Sequence, residues 1–333
     1  MRRTLVVSIS ISILLFFISS MAYSWGGATH AYIADQIGKG AGLKNQNEIY
    51  GAMAPDIFNF MFGTPYAGYL YDQTHGIPSG EENFMNMWES AKRCGFQKSL
   101  AYGFVSHNNV WGADSTAHWM ALVTNPPAEF PDDLPPGYVI FKAFELESLL
   151  SFYGVFGSIG LGGADNYPIR LELCHTIVEV AGDFLIARAD PYIGLKIYSS
   201  ALLRDQRFPL LLKEAYAHDF SKEFHIPCSE AIKIIVSQEN EFRRSTILMG
   251  YMLMQDENTA IGLISEQYAS LMLSYLEDFG ISIQGFTPEM AKPIIEQAIQ
   301  VTLYSGMLDD YMTEINATIN HVAEQLNEHG ISY

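Results

Sequence analysis

The chain predicts an all-α fold: a multi-helix bundle of N-terminal helices with an additional helical region toward the C-terminus. Three observations lead there. Apolar residues return at helical spacing over long stretches, the alternation of a half-buried strand is weak throughout, and the Gly- and Pro-rich segments fall between the periodic stretches. No internal repeat is visible.

The elements follow in order. Thr29 to Ile37 suits a helix, with Ile33 and Ile37 one turn apart. Residues 51–80 are rich in Gly, Pro and aromatics and read as loop with short helical turns. Residues 97–123 read as helix, with Tyr102 and Val105 on its apolar side. Residues 124–138 hold five prolines and the pair Asp132-Asp133, a loop. A helix over 140–153 precedes Gly154 to Gly163, where five glycines predict another loop. Residues 168–189 form a helix whose apolar stripes are core. From 192 onward helices dominate, at about 192–205, 208–219, 227–254, 258–278, 288–303 and 308–328. Thr287-Pro288 supplies a cap and first-turn pair, and Gly330 a stop. This organisation divides into 1–24, 25–190 and 191–333, with a soft boundary at Asp190-Pro191.

The first segment reads as a secretory leader. Arg2 and Arg3 precede an uncharged apolar run from Leu5 to Ile18, and Ala22 and Ser24 place a small-x-small cut before Trp25. The expected location is secreted or periplasmic. Cutting 24 residues from 333 leaves 309, enough for one large domain or two modest ones. The formal charge of −18 becomes −20 once the two arginines leave. So acidic a surface repels polyanions, which makes nucleic acid a poor partner unless metal ions offset the charge locally. Cys94, Cys174 and Cys228 allow at most one disulfide. No stable protein partner is inferable.

Metal ligation is the chemistry the spacing points to. Five of nine histidines lie before residue 180, beside carboxylates. His107, Asp114 and His118 fall within an arc of about 40° if they share one straight helix. His175 and Glu179 are one turn apart, a spacing that suits zinc. Asp56 follows Ala54-Pro55, and His75 follows Gln73-Thr74, both in loop-like sequence. His30 lies five residues after Trp25, whose α-amine, titrating near ~8 once freed, becomes a nitrogen ligand.

Taken in order, the mature-end Trp25, the nearby His30, Pro55-Asp56, Thr74-His75, Ser106-His107, Asp114-Ser115-x-x-His118 and His175-x-x-x-Glu179 resemble the zinc-dependent phospholipase C family, whose superfamily includes secreted single-strand nucleases. The resemblance covers roughly Trp25 to Asp190. It implies an α-helical bundle with a tri-zinc site that cleaves phosphodiesters. It implies that Trp25 (amine and carbonyl) and His30 hold one zinc, Asp56, His75 and His107 a second, and His118, His175 and Glu179 a third. Asp114 would bridge the first two. Asp56 would also orient or deprotonate the attacking water, or serve as a plain ligand.

Two departures stand out. The family places its His and bridging Asp one turn apart, whereas His107 and Asp114 are seven residues apart, about 10 Å along an ideal helix. The helix must therefore break, and Asn108-Asn109 and Gly112 offer the bulge. The long stretch between His118 and His175 is expected over the site entrance, where it would set specificity.

Other chemistries fit poorly. The segment around Ser158 lacks the glycine pattern of a nucleophile elbow, and no His-Glu-x-x-His is present. His218, His225, His321 and His329 read as surface or capping residues. The aromatic run Phe58, Phe60, Phe62, Tyr66, Tyr69, Tyr71 reads as core, with lipid contact as the other reading. The expected activity is therefore a zinc-dependent phosphodiesterase with two to three ions, acting on phospholipid or another phosphodiester with transient membrane-surface contact. Its rivals are a nuclease or nucleotidase on the same scaffold and a non-catalytic metal-binding surface protein.

Overall fold

The structure, a computed structural model, describes residues 26–59, 61, 64–77, 80–94, 97–131, 134–278 and 286–333. The leader, Trp25, Phe60, Phe62, Asp132 and Asp133 lie outside the described residues. The fold is all-α: 74% of the chain is helical, and no strand occurs among the described residues. No helix among them is long and apolar enough to cross a membrane.

The N-terminal helices are α1 (Gly27–Ile37), α2 (Leu43–Met53), α3 (Ala67–His75), α4 (Met85–Cys94) and α5 (Lys98–His107). A 3-10 turn, Ala54–Phe58, continues α2, and a π-turn, Ser115–Trp119, follows α5. Next come α6 (Tyr138–Phe152), the short α7 (Val155–Ser158) and the long α8 (Tyr167–Ala189). The C-terminal helices are α9 (Ile193–Leu203), α10 (Phe208–Glu223), α11 (Cys228–Leu253), α12 (Glu257–Asp278), α13 (Pro288–Tyr304) and α14 (Tyr311–Glu328).

Four sequence expectations need correction. Residues 51–80 are not mainly loop: they hold the end of α2, the 3-10 turn and α3. The start of α2 went unread because Leu-Lys-Asn-Gln-Asn-Glu carries little apolar periodicity; α4 went unread although Phe84, Met87, Trp88 and Ala91 are spaced for one buried helix face. Residues 97–123 are not one helix; α5 stops at His107. Gly154 to Gly163 contains the single turn of α7, started by Gly154 in the left-handed region at φ 72°.

The tightest contact is between α2 and α5, where the backbones touch. A β-carbon on Gly51 would lie 2.2 Å from the Leu100 carbonyl oxygen, and one on Gly103 2.0 Å from that of Glu48. Only glycine at both positions permits this approach. Around it, α1 packs on α2, α6 on α8, α9 and α10 on α11, and α12 on α13. One hydrophobic core runs from Ala28 to Ile331 and includes residues from both sides of Asp190. Tyr66 and Tyr69 pack edge and face against Phe220 and Phe224 of α10, while Phe58 and Tyr71 are buried. That part of the aromatic run is core.

The last helix reaches back to the first half. The Thr29 and Tyr311 hydroxyls are 2.7 Å apart, and those of Thr116 and Thr318 2.9 Å apart. Glu314 accepts the amides of Leu122, Val123 and Thr124. The Tyr333 hydroxyl donates to Glu48, which also accepts the amides of Lys39 and Gly40. Cys174 is a buried free thiol and Cys228 an exposed one.

The N-terminus of α1 has no cap from its own chain segment. Asp183 of α8 supplies one, accepting the Thr29 amide at 2.9 Å and the Thr29 hydroxyl at 3.1 Å. Burial pushes the Asp183 carboxyl up to about 7, against the lowering effect of the Ala28 and Thr29 amides. A carboxyl raised on folding favours the folded state most below its unfolded pKa and loses that favour as pH rises toward 7.

Two outcomes follow from this packing. Gly103→Ala should lower stability by at least ~2 kcal/mol, because backbone cannot yield to the added carbon; urea unfolding measures it, and unchanged stability would refute the contact. Asp183→Asn should gain in melting temperature relative to the parent as pH rises from about 4 to about 7. A difference that stays flat over that range would show that Asp183 does not titrate there.

Candidate metal centre

The centre is built from six stretches of chain. His30 lies in the first turn of α1, Asp56 in the 3-10 turn after α2, His75 at the last residue of α3, His107 at the last residue of α5, and His175 and Glu179 in the middle of α8. Asp114 and His118 flank and close the π-turn.

The structure brings eight of the nine expected ligands together. Three groups have ligand atoms within 4.8 Å of one another: His30, His107 and Asp114; Asp56, His75 and His107; and His118, His175 and Glu179. The first two share His107, and Asp114 spans them. Its Oδ1 is 3.1 Å from His30 Nε2, and its Oδ2 is 3.0 Å from His107 Nε2 and 3.9 Å from His75 Nε2. Asp56 Oδ1 lies 3.2 Å from His75 Nε2 and 3.7 Å from His107 Nε2. In the third group His175 Nε2 is 3.2 Å from Glu179 Oε1. Trp25, the ninth, is outside the described residues.

His107 and Asp114 meet because the helix breaks between them, as their spacing requires. The Asn108 side-chain oxygen accepts the amides of Val110, Trp111 and Gly112 at 2.8–3.1 Å, folding the chain back on itself. Gly112 closes the turn, since a β-carbon there would sit 2.6 Å from the His107 carbonyl oxygen. The straight-helix picture of His107, Asp114 and His118 on one face is therefore wrong; the turn, not helical periodicity, aligns them.

Hydrogen bonds set which ring nitrogen each histidine presents. His107 Nδ1 is 2.7 Å from the Ala52 carbonyl, and His75 Nδ1 3.1 Å from that of Tyr71. A carbonyl only accepts, so both Nδ1 atoms carry a proton and both Nε2 atoms face the cluster. His118 Nδ1 donates to Asn109 Oδ1 at 3.2 Å, while the Asn109 amide group donates to the Tyr71 hydroxyl. The Asn109 backbone N–H donates to the His75 carbonyl at 2.8 Å. Asn59 donates to Asp56 Oδ1 at 2.7 Å. This outer layer is what histidine–metal sites use to fix the ligands.

Sequence reading missed Tyr71, Asn59 and Glu172, whose Oε1 is 3.8 Å from His175 Nδ1. It placed Asn109 only as part of the break. No spacing rule marks these residues, because their roles depend on contacts between separate elements.

The donor set fits a metal. His107 Nε2, both Asp114 oxygens, both His175 ring nitrogens and Glu179 Oε1 are buried with no hydrogen-bond partner. Orphaned buried polar atoms are costly, and here they converge on one another. Electrostatics agree. Burial lowers the His30 pKa, and His107 lowers it further. Burial opposes charging of His107, but Asp114 and Asp56 push it up to about 9. Burial also opposes ionisation of Asp114, yet His107 and then His30 hold its carboxyl well below the usual range. Asp56 is held low in the same way, by His107 and His75. Glu179 goes the other way: burial, then Glu172, Asp56, Asp114 and Asp183, raise it well above the usual range. A cation among these groups would offset both the burial and the repulsion.

Access is one-sided. The Asp56 side chain is 14% exposed, while its partners are at 4% or below. Solvent therefore meets the centre at Asp56. No family model, curated protein or solved structure matches the chain.

Asn108→Ala should release the turn and weaken divalent-metal binding by roughly 10- to 100-fold, the range for outer-layer partners. Equilibrium dialysis against zinc measures this. Undiminished affinity would mean that the turn does not set the His107–Asp114 geometry.

Proposed function

We propose that this chain is a secreted zinc-dependent phosphodiesterase that acts on phospholipid head groups. One observation carries the reading: Asp114 spans two three-residue groups that share His107, with a third group formed by His118 of the π-turn and His175 and Glu179 of α8. Adjacent sites joined by one carboxylate suit hydrolysis of a phosphodiester. The leader and the ordered motifs shared with the zinc-dependent phospholipase C family support the same reading.

In this reading His30 and Asp114 serve one ion, joined by the mature-end Trp25. Asp56, His75 and His107 serve a second, and His118, His175 and Glu179 a third. Bound zinc would neutralise the phosphate, acidify a water and stabilise the leaving oxygen. The protein's own part is positioning and proton handling. The backbone carbonyls of Ala52 and Tyr71 and the amide of Asn109 hold three imidazoles with Nε2 inward. Asp56 stays ionised at the solvent-facing side, oriented by Asn59, and so accepts a hydrogen bond from the incoming water and aligns it with the phosphorus. The negative surface favours a zwitterionic head group over a polyanion.

Metal analysis after mild dialysis, paired with turnover of bis(p-nitrophenyl) phosphate, tests the reading. Two to three zinc ions and hydrolysis abolished by chelation are expected, with phosphatidylcholine preferred to single-stranded DNA. A count of zero or one, or turnover indifferent to chelation, would defeat it; a preference for DNA would shift it to the nuclease rival. Asp56→Asn should lower kcat by about 10²- to 10⁴-fold, as loss of an acid–base group does. An Asn variant with full kcat would reduce Asp56 to a spectator.

A further inference from the structure

Next to the metal centre lies a second cavity that ligation does not explain. It contains about 830 Å³ of empty space, solvent at its mouth included. The glycine-rich segment forms one wall through Val155, Phe156 and Ile159. Helix α8 forms the floor, and α12 and α13 the far wall, through Leu271, Met272, Ile294 and Ala298.

The lining is almost wholly hydrocarbon. Of its polar side chains, the Thr176 hydroxyl is already donated to the Glu172 carbonyl. The other two, Glu172 and Tyr268, lie toward the metal centre. Glu172 is buried, with one carboxylate oxygen lacking a hydrogen-bond partner and 3.8 Å from His175 Nδ1. The Tyr268 ring lines the cavity, and burial, with the charges of Glu179, Asp183 and Asp56, holds its phenol above its ordinary range. On α8 the neighbouring faces divide the work: Glu172 and Thr176 face the cavity, His175 and Glu179 the metal groups.

The glycine-rich wall is fixed. Arg170 donates to the carbonyls of Leu161 and Gly163 and pairs with buried Glu147 at 2.6 Å. Immediately before that wall, Phe152 and Tyr153 stand 85% and 72% exposed, ring against ring at 5.4 Å. Two to three residues along the chain from the cavity wall, this exposed aromatic pair has the chemistry of a side-chain patch that meets a lipid–water boundary.

We propose that this cavity binds one unbranched hydrocarbon chain of a lipid, its polar end toward His175 and its free end between α12 and α13. A ligand with more polar atoms would leave them unpaired against this lining, at a cost of about 1–3 kcal/mol each. That the chain belongs to the hydrolysed phosphodiester rests on the function proposed above; the binding itself does not.

The test is a fluorescence titration of the mature protein with cis-parinaric acid, followed by competition with octyl-, decyl- and dodecylphosphocholine and the matching fatty acids. Saturable binding is expected, with each pair of methylenes removed weakening competition roughly tenfold. Ala298→Phe and Ile294→Trp, each first shown to melt cooperatively, should weaken binding by about tenfold or more. Lack of chain-length dependence, or binding unaffected by both fillings, would overturn the proposal. Should neither variant fold, a diazirine-bearing fatty acid cross-linked to the unmodified protein decides. Adducts within 271–272 or 291–298 support the cavity, and adducts only elsewhere overturn it. Competition by fatty acids but not by alkylphosphocholines would refute the link to the substrate. Chain binding in a protein that never hydrolyses bis(p-nitrophenyl) phosphate would defeat the proposed function and leave the cavity standing.

Discussion

The backbone contact between α2 and α5 is the constraint on which the centre depends. Gly51 and Gly103 let the helices approach until main chain meets main chain. That approach delivers the Ala52 carbonyl to His107 Nδ1. With its proton held there, His107 turns Nε2 toward both Asp56 and Asp114. The two residues after Ala54 then carry Asp56 into the cluster on the 3-10 turn. Separating the helices by one methyl group would displace a ligand, its orienting partner and the neighbouring carboxylate together.

A second constraint is the turn after α5. It converts a sequence separation that would put His107 and Asp114 apart into a 3.0 Å approach. Asn108 gathers three amides, and Asn109 ties the turn to α3 and to His118. The turn thus acts on all three groups at once. Its polar residues sit buried at the heart of the protein, where an unsatisfied amide would be expensive.

The sequence disclosed the helical class, the long C-terminal helices and every described residue of the three groups that could hold a metal ion. It did so because periodicity in α11, α13 and α14 is sustained, because the other long segments are apolar-rich without strand alternation, and because His and carboxylate pairs at short spacing are conspicuous. Even the break between His107 and Asp114 was legible, from a distance that no straight helix could close. The start of α2 was not, since its first residues after Leu43 are polar; the apolar face of α4, built by Phe84, Met87, Trp88 and Ala91, stands in the sequence and was passed over. Nor did anything mark Gly51 and Gly103 as a pair, being 52 residues apart. Glu172 beside His175 and the Asp183 cap on α1 belong to the same class of fact. Each is a meeting of distant segments, which local pattern does not encode.

Helix α14 has a consequence for how the protein comes into being. Its contacts reach Thr29 beside His30, Thr116 inside the π-turn, and the strand of amides just beyond His118. These pairings join residues separated by about 190 to 280 positions. Contacts of such reach form late, after the entropy of closing long loops has been met. Until the last helix is in place, the residues beside His30 and beyond His118 lack the partners that hold them, so the candidate centre depends on the far end of the chain as much as on the segments that carry its side chains.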